Sequence, residues 1–597
     1  MKITTRAAVS HLAILLLLAA APVLAAEPCP RGSDVALWTS PREPRPGRPL
    51  RIVAVSESGP PGELVVWAGD GTPIEAAVVR QGGPPWSLVA TVASTSPGVD
   101  RVEVRRGDGV AACREMSPSG PGPTREPGRG SEPAPGWDRA SEALYAAWIE
   151  HLFAAPPDET LAFPALDVVL RNPSRNFLHG HLGLGEDDAG GPRVQLTPDC
   201  ADLPYVLRTY FAWKLGLPVG FRSCSRGTAA TPPRCGPPTV LVPAPDLRSF
   251  AGLMQRLMDA VHSGNARTAL DDDATDFYPL PLARDVLRPG TVYADPYGHT
   301  LVVVQWVPQT AERSGLLLAV DAQPDNSVGR KRFWEGTFLF ARTPSAGPGF
   351  KAARPLVRGA DGAVRPLANA ALTGHGAFTA FDDEQAAMLP DAFYGRMAAL
   401  IDPDGLAPER AYEATLDALV EQLEARVRSV DSGEEWMRAH PGTVVRMPAG
   451  AAIFETTGPW EDYATPARDL RLLIAMRVLS ELPARIERHP ELFVLGGRSS
   501  AEARAAVERL HGVRTAERSI SYERSDGGPW RLTVAEVLAR RERLETAYHP
   551  NDCVEVRWGA AEGSAEHATC RRRAPADERA RMETYRPWFR EGRRPPR

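Results

Sequence analysis

The chain has 597 residues, and its 69 basic residues nearly balance its 74 acidic ones, which leaves a formal net charge of -5 at pH 7. This length exceeds the roughly 250 to 300 residues at which one hydrophobic core stops growing, so we expect several domains. The near-neutral balance, without a basic stripe carrying interleaved aromatic residues, argues against a nucleic-acid partner.

Residues 1–26 have the pattern of a signal peptide. MKITTR is a short basic segment, AILLLLAAAPVLA is an apolar stretch of suitable length, and Val23-Leu24-Ala25 is a cleavage pattern. We therefore expect export to the periplasm or the cell exterior. No later run approaches the roughly 18 apolar residues of a spanning helix, and no lipid-attachment motif precedes Cys29. The sequence thus predicts a mature protein without a membrane span.

Residues 27–116 contain short alternating runs such as LRIVAVSES, ELVVWAG and VDRVEVRRG, which Gly, Pro and Asp turns separate. This pattern predicts a small Ig-like antiparallel β-sandwich. The next segment, residues 117–136, has too few apolar residues to pack. We interpret it as a Pro/Gly-rich linker.

Residues 137–345 combine helix and strand patterns. SEALYAAWIEHLFAA and SFAGLMQRLMDAVHSG have apolar residues at helical spacing, and another helix is expected after Cys200. HTLVVVQWV, SGLLLAVD and TFLFAR predict three buried strands. The segment is therefore predicted to be an α+β unit.

Residues 346–597 are expected to be mostly helical. Four segments carry helical periodicity: DEQAAMLPDAFYGRMAALI, PERAYEATLDALVEQLEARVRSV, TPARDLRLLIAMRVLSELPARI and LTVAEVLARRERLETAY. Between them, VVRMPAGAAIFETTG and SISYERSDGGPWRL predict hairpins. The sequence indicates no specific role for this region.

The seven cysteines suit an oxidising compartment, where disulfides persist. Sequence alone leaves the connectivity open, but pairing neighbours closes each bridge within one local unit. The neighbouring pairs are Cys29 with Cys113, Cys224 with Cys235, and Cys553 with Cys570. Cys200 is left over, and it is either a reactive thiol or a cysteine that is inert or paired elsewhere.

Cys200 lies where a helix is expected to begin, in the stretch TPDCADLP. Thr197-Pro198 is a helix-start signal and Asp199 or Asp202 can cap, so Cys200 is predicted in the first turn. Backbone N–H groups there favour a thiolate, whereas the two aspartates oppose it, which predicts a nearby cation. Pro204 removes an early helical hydrogen bond and predicts a distorted turn.

His299 and Asp321 are the expected partners of this thiol. His299 precedes the apolar strand in RPGTVYADPYGHTLVVVQWV, where an imidazole can be rigid yet partly exposed. Asp321 ends the next strand, and if the two strands are neighbours, both residues lie at one sheet edge. Gln323 and Asp325 are fallback orienters. Nucleophile, base and orienter are the groups that a cysteine hydrolase needs.

Two motifs carry a family resemblance. D-C-A-D, an amphipathic helix, L-G-L-P and a strand resemble the cysteine segment of NlpC-type cell-wall endopeptidases and transglutaminase-like proteins. RPGTVYADPYGHTLVVVQWV resembles the P-G-D, strand, His, strand pattern of the NlpC type. Over residues 137–345 the resemblance implies a papain-like fold with Cys200 as nucleophile, His299 as base and Asp321 as orienter. Ala201-Asp202 departs from the usual Ser-Gly, and the interval between Cys200 and His299 is long.

The resemblance implies an exported cysteine peptidase or amidase that acts on peptidoglycan or another peptide through an acyl-enzyme, with no cofactor and no metal. An oxyanion donor is expected from the Cys200 N–H and an upstream polar side chain, for which Asn176, His179 and His181 are candidates. Two alternatives stay open. One is transglutaminase-like acyl transfer, and the other is a non-catalytic envelope binding or scaffold protein with an inert core.

Two further groups of polar residues suggest a metal site and a glycosidase active site, and each also has a simpler structural interpretation. His179 and His181, with the acidic run Glu186, Asp187 and Asp188, suggest a metal site, but spacing sets no third ligand and a polar loop beside the cleft is preferred. Four carboxylates suggest a glycosidase pair, but acids beside a helix start usually act as caps. These are Glu455, Glu461, Asp462 and Asp469.

Overall fold

The computed structural model describes residues 29–30, 34–42, 44, 47–94, 98–116, 136–190, 194, 196–241, 244–323, 325–454 and 458–595. The predicted signal peptide and residues 117–135 of the predicted linker lie outside these ranges. The predicted mixture of α and β structure is confirmed, with 35% helix, 21% strand and several antiparallel sheets. Within the described ranges, no helix combines the length and the apolar character that crossing a membrane requires.

The N-terminal part forms two four-stranded antiparallel sheets around a shared apolar core. Its strands are β1 (Val35–Ser40), β2 (Leu50–Ser56), β3 (Glu63–Ala68), β4 (Pro73–Ile74), β5 (Ala77–Gln81), β6 (Trp86–Val92), β7 (Val99–Arg106) and β8 (Gly109–Glu115). The sheet orders are β1-β2-β6-β5 and β4-β3-β7-β8. β2 is buried on both faces, because Ile52 and Ala54 face this core while Val53 and Val55 join the core of the next unit.

The middle part forms a seven-stranded antiparallel sheet with helices against it. The helices are α1 (Arg139–Leu152), α2 (Leu166–Leu170), α3 (Leu203–Leu215) and α4 (Leu247–Ala260). The strands are β9 (Ala162–Phe163), β10 (Val219–Phe221), β11 (Thr239–Leu241), β12 (Phe277–Pro279), β13 (Val292–Ala294), β14 (Thr300–Val307), β15 (Leu316–Ala322), β16 (Val328–Arg332) and β17 (Gly349–Ala353). β10 pairs with β11, and the others have the order β12-β17-β13-β14-β15-β16-β9. Because β17 is an inner strand, the sheet extends beyond the predicted boundary at residue 345.

Strands β14 and β15 are antiparallel neighbours, as the candidate site requires. Their register pairs Val302 with Val320, so the start of β14 and the end of β15 lie at one edge of the sheet. His299 directly precedes β14, and Asp321 is close to the end of β15. Both strands are mostly buried, which explains why they read as nearly continuous apolar runs.

The C-terminal part is mostly helical and has its own core. The helices are α5 (Asn369–Gly374), α6 (Pro390–Ile401), α7 (Pro408–Ala439), α8 (Pro459–Tyr463), α9 (Pro466–Arg488), α10 (Ser500–Glu517), α11 (Val534–Ala539), α12 (Arg541–Leu544), α13 (Val554–Arg557) and α14 (Ala576–Glu591). Strands β18 (Leu356–Arg358) and β19 (Val364–Pro366) form one pair. β20 (Ser519–Glu523) and β21 (Pro529–Thr533) form another, at the hairpin predicted from SISYERSDGGPWRL.

The predicted strand TFLFAR, residues 337–342, is wrong. Phe338 and Phe340 turn into an aromatic cluster beside Phe393 instead of pairing with a neighbouring strand. The Tyr394 hydroxyl accepts a hydrogen bond from the Phe340 N–H at 2.8 Å and donates to the Phe338 carbonyl at 2.9 Å. A side chain therefore satisfies backbone groups that a strand would have paired.

The hairpin predicted from VVRMPAGAAIFETTG is also wrong over residues 444–454, which the structure describes without a gap. The Val445 N–H donates to Asn551 Oδ1 at 3.0 Å, and the Val445 carbonyl accepts from Asn551 Nδ2 at 2.9 Å. The Met447 N–H donates to Glu578 Oε1 at 3.2 Å. Side chains from the C-terminal end thus take the place of a partner strand.

Three disulfides join the neighbouring cysteines that the sequence analysis paired. They are Cys29–Cys113, Cys224–Cys235 and Cys553–Cys570. All seven cysteines belong to the described residues, and Cys200 alone among them is free. Its side chain is partly buried.

Candidate active site

Cys200 lies in a capped turn that leads into α3. Asp199 Oδ1 accepts hydrogen bonds from the N–H groups of Ala201 at 2.7 Å and Asp202 at 2.9 Å, which is the pattern of an N-cap. Pro204 has no N–H to donate to the Cys200 carbonyl, and the regular helix begins only at Leu203. Cys200 therefore lies in a turn that Asp199 caps and that Pro204 interrupts before the regular helix begins.

The Cys200 sulfur rests against the backbone on both sides of His299. Its Sγ lies 4.0 Å from the carbonyl oxygen of Gly298. The backbone N–H of Thr300 lies close enough to this sulfur to lower the pKa of the thiol. The fold thus brings the free thiol to the segment that carries the predicted base, although the two are far apart in sequence.

The electrostatic surroundings keep Cys200 protonated. Burial raises the pKa of the thiol, and the negative charges of Asp199 and Asp321 raise it further. The Thr300 N–H and the Arg471 guanidinium oppose this increase but do not reverse it. The sequence predicted this opposition by negative charge, and attack by this sulfur needs a base that removes its proton.

His299 is held by a tight turn between β13 and β14. Asp295 Oδ1 accepts from the N–H groups of Tyr297 at 2.7 Å and His299 at 2.9 Å, and the Asp295 N–H donates to the His299 carbonyl at 2.9 Å. Gly298 has φ of 103°, a conformation that favours glycine. The sequence ADPYGHT therefore fixes the backbone of His299 before its ring makes any contact.

Asp321 orients the imidazole. His299 Nε2 lies 3.1 Å from Asp321 Oδ2, and the carboxylate is only 2% exposed. Burial alone would raise the pKa of this carboxyl, but Lys331, the hydrogen bond from His299 and Arg468 hold the pKa at about 2. A carboxylate accepts and does not donate, so Nε2 carries the ring proton. Nδ1 is then the nitrogen that can take a proton from a thiol.

The two fallback orienters have other roles. Gln323 Nε2 donates to Asp321 Oδ2 at 2.5 Å, so Gln323 supports the orienter instead of replacing it. Asp325 Oδ1 accepts from the N–H of Ser327 at 3.0 Å and from its hydroxyl at 2.6 Å. Asp325 thus stabilises the turn between β15 and β16.

Sequence reasoning missed two arginines of α9. Arg471 forms an ion pair with Asp295, the residue that holds the His299 turn. Arg468 Nη2 donates to Gln323 Oε1 at 2.9 Å. The sequence signal was two arginines three residues apart at the start of the apolar run in RDLRLLIAM. Arg471 is also the nearby cation that the aspartates around Cys200 predicted.

The oxyanion candidates lie in the core or beside a buried ion-pair cluster. Asn176 is fully buried, and its amide nitrogen donates to the Leu170 carbonyl at 2.7 Å and the Tyr210 hydroxyl at 2.8 Å. Both of its N–H groups are therefore used within the core. His179 and His181 lie beside a buried ion-pair cluster, and burial lowers the pKa of both, that of His181 to about 4.

That cluster also explains the suggested metal constellation. Lys214 Nζ lies 2.6 Å from Glu186 Oε1 and 2.6 Å from Asp187 Oδ2, with all three side chains buried. Tyr210 donates its hydroxyl to Asp187 Oδ1 at 2.7 Å. The ammonium group thus occupies the position between these carboxylates that a metal would need.

The suggested glycosidase carboxylates do not form a matched pair in the described residues. Asp469 is buried and receives two hydrogen bonds from Arg426, each of 2.8 Å. Glu461 and Asp462 lie together on α8, and burial raises the pKa of each. Glu455 lies outside the described residues. Asp469 is therefore a structural ion-pair partner.

Together, these contacts bring a free thiol against the backbone that flanks a histidine, and the ring of that histidine is hydrogen-bonded to a buried carboxylate. These are the residue types that nucleophilic attack assisted by a general base employs. Comparison of the chain with protein-family models, with curated proteins and with solved structures found no match.

Proposed function

We propose that this protein is an exported cysteine hydrolase that cleaves amide bonds, with Cys200 as nucleophile, His299 as base and Asp321 as orienter. The observation that carries the proposal is that the one free cysteine lies against the backbone flanking His299, whose ring bonds Asp321. The disulfides favour an oxidising compartment. The motif resemblance favours peptides of the cell wall as substrates and a papain-like core.

The chemistry has two halves. His299 Nδ1 takes the proton of Cys200 Sγ as the sulfur attacks the amide carbon, and the carbon–nitrogen bond then breaks. The amine leaves with that proton, and a thioester joins the acyl group to Cys200. Water then attacks the thioester carbon, His299 takes a proton from this water and returns it to the departing sulfur, and a carboxylic acid is released. Asp321 stays ionised throughout.

The test measures new amine ends after incubation with purified peptidoglycan and, separately, with casein. Wild type is expected to generate amine ends, and Cys200→Ala is expected to generate none. Asp325→Asn is the matched control, because it alters a nearby carboxylate whose hydrogen bonds go to Ser327 in the turn between β15 and β16. Cleavage by Cys200→Ala at the wild-type rate would reject this nucleophile.

A second measurement tests the state of the thiol in the exported protein. Alkylation without reductant, followed by peptide mass spectrometry, is expected to label Cys200 and leave the six paired cysteines unlabelled. A disulfide at Cys200 would exclude the catalytic role.

A non-catalytic envelope binding protein is the second candidate, and the raised pKa of the Cys200 thiol favours it. Under that alternative, wild type and Cys200→Ala bind peptidoglycan equally and neither produces amine ends. Acyl transfer is distinguished by adding a primary amine: a transferase attaches it to the peptide, whereas a hydrolase releases only acid.

A further inference from the structure

The C-terminal helical part contacts the candidate active site through several residues. Arg471 of α9 pairs with Asp295, and Arg594 donates to the Tyr297 carbonyl. The Tyr297 ring also packs against the C-terminal core. The turn that carries His299 is therefore held from outside its own sheet.

Arg468 makes the most specific of these contacts, because it leads to the orienter. Its Nη2 donates to Gln323 Oε1 at 2.9 Å, and Gln323 Nε2 donates to Asp321 Oδ2 at 2.5 Å. The same Oδ2 atom accepts a hydrogen bond from His299 Nε2 at 3.1 Å. A hydrogen-bonded chain thus runs from the C-terminal part to the imidazole.

The charges at the two ends allow only one direction for this chain. A guanidinium has donors and no acceptor, whereas a carboxylate has acceptors and no donor. The Gln323 amide must therefore present its oxygen to Arg468 and its nitrogen to Asp321. Reversing the amide would set two donors against each other at one end and two acceptors at the other.

We propose that Arg468 is a positioning residue for catalysis, which fixes the Gln323 amide so that Asp321 keeps the His299 ring in its productive orientation. This inference rests on the proposed function for its kinetic consequence. It gives the C-terminal region a role, since α9 completes the active site. Arg471 acts in parallel by holding the turn through Asp295.

A purely structural role for α9 makes a different prediction. Arg485 lies on the same helix and pairs with Glu335, in the segment after β16. If α9 only docks the two parts of the chain, Arg485→Met and Arg468→Met should affect the enzyme alike. Positioning predicts that only Arg468→Met changes the chemistry.

The first experiment uses the full chain and compares Arg468→Met, Arg468→Lys and the control Arg485→Met. Arg468→Met is expected to lower kcat about 10²-fold with little change in KM, because misplaced catalytic groups cost about that much. Arg468→Lys keeps a cationic donor and is expected to recover much of the rate. Equal kcat values for Arg468→Met and Arg485→Met would overturn the proposal.

Gln323→Met tests the hydrogen-bonded connection between Arg468 and Asp321 at its middle residue. It is expected to reproduce the loss in Arg468→Met, and the double variant should be no slower than either single variant, since one connection is cut twice. Fully additive losses would show that the two residues act separately and would refute the chain. If Arg468→Met folds poorly, Gln323→Met still tests the hydrogen-bonded connection by itself.

A spectroscopic measurement separates this proposal from the proposed function. In protein with ¹⁵N-labelled histidine, the Nε2 proton of His299 should give a protected resonance that His299→Gln removes. Arg468→Met is expected to broaden or lose this resonance, whereas Arg485→Met retains it. An unchanged resonance in Arg468→Met refutes positioning even if wild type is active. Its loss supports positioning even if no hydrolysis is found.

Discussion

Replacing Asp321 by asparagine tests how the imidazole is oriented. The carboxylate accepts from His299 Nε2 at 3.1 Å and Gln323 Nε2 at 2.5 Å, and Lys331 Nζ lies 3.8 Å from its other oxygen. An amide keeps the shape but replaces one acceptor by a donor. The ring is then free to adopt the tautomer that carries its proton on Nδ1, which cannot accept from the thiol. A comparable change in a Ser-His-Asp triad lowers kcat about 10⁴-fold.

The same substitution has a consequence for stability that depends on pH. The folded pKa of Asp321, about 2, lies below its ordinary value of 3.8, so its ionisation stabilises the folded state above the unfolded pKa. That contribution is lost as pH falls through the folded pKa, roughly between pH 5 and pH 2. The difference between the folded pKa of about 2 and the ordinary value of 3.8 corresponds to about 2 kcal/mol of folding stability.

Amine-end release at pH 7 and chemical unfolding from pH 7 to pH 2 provide the two measurements. Asp321→Asn should lose at least about 10³-fold in rate, and its stability deficit relative to wild type should shrink as pH falls. Asp325→Asn should change neither. A rate within tenfold of wild type, or a deficit that stays constant with pH, would refute the assigned role of the carboxylate.

Three further predictions concern charges around the site. Asp199→Asn removes a negative charge and should speed alkylation of Cys200 at pH 8 with little change in stability. Asp199→Ala should speed alkylation too, but chemical unfolding should also show a loss of about 1 kcal/mol, because the cap is removed. Equal alkylation rates in both variants and wild type would contradict this prediction. Arg471→Met should move the pH midpoint of alkylation upward, because it removes a cation that lowers the thiol pKa. Lys214→Met should cost about 3 to 5 kcal/mol of unfolding free energy, since two buried carboxylates lose their partner.

Local patterns predicted those parts of the structure that local rules control. The apolar runs around residues 300–307 and 316–322 form adjacent strands, and this pairing alone places His299 and Asp321 at one edge. Neighbouring cysteines form disulfides because each bridge closes within one unit. The mixture of α and β structure follows equally directly from hydrophobic periodicity.

Contacts between segments that are distant in sequence could not be predicted from local sequence patterns. Phe338 and Phe340 alternate as in a strand, yet tertiary packing against Phe393 decides their conformation. Arg468 and Arg471 read as ordinary helix residues until the fold places Gln323 and Asp295 beside them. Asn176 has no N–H left for an oxyanion for the same reason, because the core uses both donors of its amide.

The central claim is that His299 activates the Cys200 thiol, and the rate of Cys200 alkylation tests it without requiring a known substrate. Iodoacetamide labelling at pH 7, followed by mass spectrometry, compares wild type with His299→Asn. The account predicts that wild type reacts about 10²-fold faster, the scale of general-base assistance. Equal rates in the two proteins, with both folded, would contradict it.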